Sequence, residues 1–402
     1  ELPAGSVGFA VGFEYRDEKS SFTPPELERA GLLYNTLGEA RDIVRGQYDV
    51  AEIFGEVSIP LLADLPFVDS LTLDGSFRYT DHSTAGSIET YGGAIQWRID
   101  DNIRISATYN RAVRAPNIFE LFSPAQPAFI GVTQDPCAPQ NIDAGTANRA
   151  TNCATFVDPG FDPADFLSAR VAGSTGGNAN LAPEKADTYT IGVVLTPSFA
   201  PGLTVRADYY NIEISDAIDA LTGREVAELC VDLPTTNNPF CAQVQRDPAN
   251  GNAISDFQSG NVNLGGFSTE GIDISTNYVF DLEEIFDADY GQLNQTLTAT
   301  HVFNNIEFPD PLDPAFALDD NGQTALPEWI VNYQALWSYG DLSVTYQLRY
   351  QSSQLNIGIN NEDVVGNAVF ADPLKTGSAI VHDISATYRV NEMANITFGV
   401  NN

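Results

Sequence analysis

About 13 stretches of this chain alternate apolar with polar residues, and a period of two confines it to β-structure with two unlike faces. The clearest stretch is 342–352. There Leu342, Val344, Tyr346, Leu348 and Tyr350 share one side, and Ser343, Thr345, Gln347 and Arg349 share the other. Its neighbour, 328–338, places Trp329, Val331, Tyr333, Ala335 and Trp337 on one side, and Tyr339 continues that row. Val7, Phe9, Val11, Phe13 and Tyr15 alternate with Gly8, Ala10, Gly12 and Glu14. Leu71, Leu73, Gly75, Phe77 and Tyr79 oppose Thr72, Asp74, Ser76, Arg78 and Thr80. Ile103, Ile105, Ala107 and Tyr109 oppose Arg104, Ser106, Thr108 and Asn110. Further strands are expected at 49–62 (less regular, closed by Pro60), 88–99, 186–196, 203–214, 267–282, 293–306, 379–390 and 396–402. A short helix is expected within 26–45.

The connections between these strands sort by length. Short turns of about 3–10 residues alternate with loops of about 8–70, as in outer-membrane barrels with periplasmic turns and extracellular loops. Aromatic residues gather near strand ends (Trp97, Tyr109, Trp329, Trp337, Tyr339), which fits interfacial girdles. No run reaches 18 apolar residues, so no transmembrane helix is expected, but barrel strands need apolar residues only at alternate positions. In a closed barrel the apolar face meets lipid and the polar face lines the lumen. Arg78, Arg104, Arg206, Asp208, Gln347 and Arg349 are therefore expected to line the lumen. Leu71, Phe77, Val344 and Leu348 are expected to face acyl chains. Arg111 falls in the lipid-facing phase, one step beyond Tyr109, and is expected to snorkel toward the outer interface.

With 54 acids against 19 bases the chain carries a net charge of −35, which opposes nucleic-acid binding. Acids crowd into the loops, for example Asp310, Asp313, Asp319 and Asp320, without regular calcium-ligand spacing, so solvated acidic loops are expected and no metal. Cys137 and Cys153 share one Pro/Asn/Asp-rich segment, and Cys230 and Cys241 share another. Four cysteines permit three connectivities, and proximity favours 137–153 and 230–241. Such bridges imply an oxidising compartment. His82, His301 and His382 are scattered, and no nucleophile, phosphate-binding or metal motif is present, so neither an enzyme nor a cofactor is expected.

The strand containing Tyr109 runs into Asn110-Arg111-Ala112-Val113-Arg114-Ala115-Pro116-Asn117-Ile118-Phe119-Glu120-Leu121-Phe122. This segment resembles the strand-to-loop motif of TonB-dependent outer-membrane receptors, carried by Arg111, Arg114, Ala115, Pro116, Asn117, Glu120, Leu121 and Phe122. Residues 2–16 resemble a mid-barrel strand of that family. Asn180-Leu-Ala-Pro-Glu-Lys185 and Ala207-Asp-Tyr-Tyr-Asn-Ile-Glu-Ile214 are also similar to it, and 396–402 is similar to its penultimate strand. The resemblance covers the chain in order, so 1–402 is expected to be a partial antiparallel transmembrane β-barrel with about 13 of about 22 strands. It implies a plug domain, a TonB box, the first strands and the last strand outside this sequence.

As the resemblance implies, the protein sits in the outer membrane of a Gram-negative bacterium. It imports a scarce solute (siderophore, cobalamin or oligosaccharide) with energy from the TonB–ExbB–ExbD complex. Residues 125–180 and 218–265 are expected to form the capture surface, since stapled loops lose less freedom on binding. Two alternatives share the strand pattern: a passive porin, and a secreted all-β binding or adhesion protein.

Overall fold

The computed structural model describes residues 2–32, 41–166, 170–309, 317–355 and 375–402. Antiparallel strands dominate it. β1 (Gly8–Phe22), β2 (Val44–Leu65), β3 (Val68–His82), β4 (Gly86–Arg98) and β5 (Ile103–Arg114) pair in sequence order. Two loop strands, β6 (Gln126–Gly131) and β7 (Arg170–Gly176), precede β8 (Glu184–Leu195) and β9 (Leu203–Ser215), which rejoin the wall. Three more loop strands follow: β10 (Ile218–Leu221), β11 (Val244–Asp247) and β12 (Ala253–Asn263). The wall resumes with β13 (Gly266–Asp281) and β14 (Gln292–Phe308), fringed by the two-residue β15 (Leu318–Asp319). It ends with β16 (Trp329–Tyr339), β17 (Leu342–Gln351), β18 (Ala379–Asn391) and β19 (Ala394–Asn401).

The result is a 14-stranded sheet, the fourteenth member being β15, and a 5-stranded sheet built wholly from loops. The large sheet is open: β1 pairs only with β2, and β19 only with β18, among the described residues.

All thirteen strands of the wall lie where alternation placed them. Strand pairing joins residues of like kind across the wall. Asp208 stands opposite Gly192 and Asp273, and Asp273 opposite Thr300, giving a polar row. Tyr109 stands between Gly93 and Tyr189, in an apolar row. Pairing of this kind keeps one face predominantly polar, interrupted by residues such as Val194 and Ile330, because a slip of one residue would turn every side chain over. Turns and loops alternate as expected, except that 83–85 is short although it lies on the loop side. The second strand differs from expectation. It does not end at Pro60 but continues to Leu65, with a register shift between Pro60 and Leu62 that absorbs the missing N–H donor. Of the expected helix in 26–45, the described residues show only α1 (Glu26–Arg29), and β2 has begun by Val44. Asp310 and Asp313 lie outside the described residues.

Candidate functional site

The chain leaves the wall at Arg114 and rejoins it at Glu184; it leaves again at Ser215 and returns at Gly266. The two excursions, 115–183 and 216–265, fold into one unit rather than two independent loops. Cys137–Cys153 and Cys230–Cys241 are both bridged, as proximity suggested. What proximity did not reveal is that both staples share a core. Cys137, Cys153 and Phe161 from the first excursion pack with Val226, Leu233 and Phe240 from the second. A second cluster brings Ile130 and Val171 against Ile254 and Phe257.

Polar contacts weld the same seam. The buried Arg149, at the start of α3 (Arg149–Cys153), grips Asp232 at the end of α4 (Gly223–Asp232). Arg246 forks onto Asp135 with both bonds at 2.9 Å. Asn152 Nδ2 donates to the carbonyls of Val231 (2.9 Å) and Leu233 (2.8 Å). β7 and β12 pair in parallel at Ser174–Gly176 and Gln258–Gly260. Gly260 has φ +128°, and a Cβ there would lie 2.1 Å from the Gly176 carbonyl oxygen, so this crossing demands glycine.

The Arg114–Phe122 segment latches this unit to the wall. Asn117 caps α2 (Ile118–Phe122): its Oδ1 accepts from the Phe119 and Glu120 amides (2.9 and 2.9 Å), and Glu120 Oε2 accepts from the Asn117 amide at 2.7 Å. Arg114 donates to both Glu120 oxygens at 3.0 Å and also to Glu184. Glu184 in turn accepts the Ile218 amide at 2.7 Å, so one arginine ties β5, α2, β8 and the second excursion together. Ile118 and Phe122 crowd Gly46 of β2, where a Cβ would lie 2.6 and 2.5 Å from their side chains. Pro116 and Leu121 are buried beneath, and Ala115 lines the adjoining cleft.

Arg111 differs from expectation. It keeps the apolar phase beside Tyr109, but its guanidinium does not extend free toward an interface. Its Nε donates to Asp187 at 2.9 Å, and Tyr109 donates to the same carboxylate at 2.6 Å. Asp187 stands directly opposite in the β5–β8 ladder, so pairing costs the arginine little extra ordering.

Below α2 the polar face of β1–β5 forms a cleft of about 590 Å³, which includes Arg16, Glu52, Arg78, Thr80, Thr90 and Asn110. A second hollow of about 400 Å³ lies against Glu56, Asp74, Ser76, Gly92 and Asn110 of the same face. His82 stacks on Tyr48 at 4.6 Å, and its Nδ1 accepts from the Thr84 and Ala85 amides, which leaves the proton of the neutral ring on Nε2. The six residues expected on the lumen side all occupy this polar face by strand register. Arg78 donates to Glu52 (2.7 Å), Arg206 to Asp208 (3.1 Å), Gln347 to Gln334 (3.1 Å) and Arg349 to Asp383 (2.9 Å). Arg104 has no carboxylate within 4.0 Å among the described residues.

Acidic groups also meet where the loop unit faces the wall. β14 has 17 residues and rises roughly 55 Å, well beyond a hydrophobic band of about 25 Å, so Glu307 near its loop end stands clear of the membrane. Burial, followed by the charges of Asp320, Asp219 and Glu225, pushes the Glu307 carboxyl up to about 7. Its proton is therefore held more tightly in the folded state than in the unfolded chain, where the ordinary value is 4.5. The Glu307 contribution to docking of the loop unit is full below pH 4.5, falls as pH rises from 4.5 to about 7, and is absent above that. After allowance for solvent screening the loss is roughly 1–2 kcal/mol. Hydrogen exchange of the α4 amides between pH 5 and 8, corrected for intrinsic rate, should show this slope in the wild type and lose it in Glu307→Gln. An unchanged slope in the variant would assign it elsewhere.

The family model for the TonB-dependent receptor-like β-barrel matches residues 2–402. No curated protein matches. Among solved structures, a variant of the ferric enterobactin receptor PfeA from Pseudomonas aeruginosa, in complex with enterobactin, is 14% identical with a TM-score of 0.57; the match covers 98% of this chain and 46% of that one. The siderophore receptor PirA from Acinetobacter baumannii is 15% identical (TM-score 0.52, 89% and 42% covered). The FrpB iron transporter from Neisseria meningitidis is 13% identical (TM-score 0.51, 100% and 48% covered). At these identities the likeness is one of fold, and this chain spans less than half the length of each structure. The match to the family model over nearly every residue settles the wider question: the chain belongs to the TonB-dependent receptor β-barrel family.

Proposed function

We propose that residues 1–402 form part of the barrel wall of an outer-membrane receptor that imports a scarce solute. A plug and the remaining strands would be supplied by sequence outside these residues, and energy by TonB–ExbB–ExbD. The solute would be a siderophore, a cobalamin or an oligosaccharide. The observation that carries this reading is the fused, doubly stapled loop unit, anchored by Arg114 beside a polar cleft on the wall. A passive pore has no need of a folded, preorganised cap at its mouth, whereas a capture surface gains affinity from one.

Two experiments on the full-length protein test the reading. Deleting TonB should abolish concentrative uptake from a panel of labelled ferric siderophores, cobalamin and oligosaccharides. Entry that persists unchanged without TonB would favour the passive pore. Removing both bridges, as Cys137→Ser with Cys230→Ser, takes away about 3 kcal/mol for each closed loop, by separations of 16 and 11 residues. Uptake should fall by about tenfold or more while the wall keeps its resistance to unfolding in detergent. Unchanged uptake would remove the loop unit from the capture step.

A further inference from the structure

The charges at this mouth are distributed unevenly, and the imbalance bears on which solute can enter. The bases of segments 115–183 and 216–265 are Arg149, Arg170, Arg224 and Arg246. Three are held by carboxylates: Arg149 by Asp232, Arg224 by Glu228, and Arg246 by Asp135. Arg170 lies over the Phe129 ring at 4.1 Å. Asp143, Asp158, Asp165 and Asp256 form none of the salt bridges found among the described residues, which leaves the unit anionic.

The cleft gives a second, independent observation. Arg16 and Arg78 project from its polar face, and each has its charge offset by a carboxylate, Arg16 by Glu14 at 2.9 Å and Arg78 by Glu52 at 2.7 Å. Arg114 beside it is shared between Glu120 and Glu184. Beyond these neutralised pairs the cleft offers a guest uncharged groups: the hydroxyls and amide of Ser76, Thr90 and Asn110, and the half-buried ring of Tyr48, which is backed by the buried His82. An anion would have to cross a negative field and then compete with a carboxylate for an arginine whose charge is already offset, whereas a neutral or cationic guest meets neither obstacle.

We propose that the solute taken in through this cleft is polar and either uncharged or cationic, with a flat or ring-shaped face that fits the Tyr48 ring, and that anionic chelates are disfavoured. The proposal rests on the reading that the loop unit and the cleft lie on the uptake path.

Its test reads charge without transport, so it fails separately from that reading. All four cysteines of this sequence are bridged, so in a full-length background freed of any other unbridged cysteine a thiol introduced as Thr90→Cys is the reactive one. Its modification rates by a cationic trimethylammonium-ethyl and an anionic sulfonato-ethyl methanethiosulfonate are compared, each normalised to free cysteine. The cation-to-anion ratio should exceed about tenfold at low ionic strength and approach one in 1 M salt, where the screening length is about 3 Å. Adding Glu52→Gln, which releases Arg78 from its carboxylate, should lower the ratio several-fold. A normalised ratio of one or less at low salt overturns the proposal. So does failure of Thr90→Cys to react with either reagent when Ala144→Cys on the loop unit reacts.

Discussion

Replacing Asp232 with alanine should destabilise the loop unit by about 3–5 kcal/mol and leave the barrel wall folded. Arg149 has only 4% of its side chain exposed. Its Nε donates to Asp232 Oδ1 at 2.6 Å, its Nη2 to Oδ2, and its Nη1 to the Asn141 carbonyl at 2.9 Å. Removing the carboxylate strands a buried guanidinium, with Glu228 only at 4.0 Å. The same carboxylate accepts from the Thr146 amide, so a turn of the first excursion loosens too. Exchanging both partners for apolar residues, Arg149→Met with Asp232→Leu, should restore much of the loss, because no uncompensated charge remains. Native-state hydrogen exchange of the α4 and β12 amides in the full-length protein measures both variants. A loss below about 1 kcal/mol for Asp232→Ala would mean that the pair does not hold the seam.

That seam marks the boundary of what the sequence discloses. A barrel wall must show one face to lipid and one to its interior, so its strands carry alternation that a reader can find, as in Leu342 to Tyr350 or Leu71 to Thr80. The polar row Arg78, Arg104, Arg206, Asp208, Gln347 and Arg349 follows from the same alternation. The loop unit obeys no such rule. Its strands β10 and β11 have only 4 residues each, and they contribute only Leu221 and Val244 to a small core. Its defining contact, the parallel β7–β12 pairing, joins residues far apart in sequence, as does the Arg149–Asp232 bond across 83 positions. Arg111 shows the same limit: its face was legible, but its partner Asp187, 76 residues away, was not. One local signal of the loop unit does lie in the sequence. Thr222 and Glu225 have capping-box spacing ahead of Val226, Leu229 and Cys230, and α4 starts there with both capping bonds formed.

The core of that unit should prove as unforgiving as its ion pair. Phe257→Ala is expected to cost about 4 kcal/mol, toward the upper part of the range for a buried aromatic. The ring is 1% exposed and sits where the two excursions meet, among Ile130, Val171, Ala227 and Ile254. Two glycines make room for it: a Cβ at Gly173 would fall 2.5 Å from the ring, and one at Gly223 would fall 2.2 Å from it. Glycines have no side chains to swing into a vacated space, so the cavity left by alanine stays largely open and the loss exceeds simple transfer of the ring from water. Phe257→Leu keeps most of the volume and should cost about 1–2 kcal/mol. Because Phe257 touches both excursions, exchange protection should fall together in β6, β7 and α4 while β2–β4 of the wall stay protected. Loss confined to β12 would show that the two excursions fold separately, and that their shared core contributes little to the stability of either.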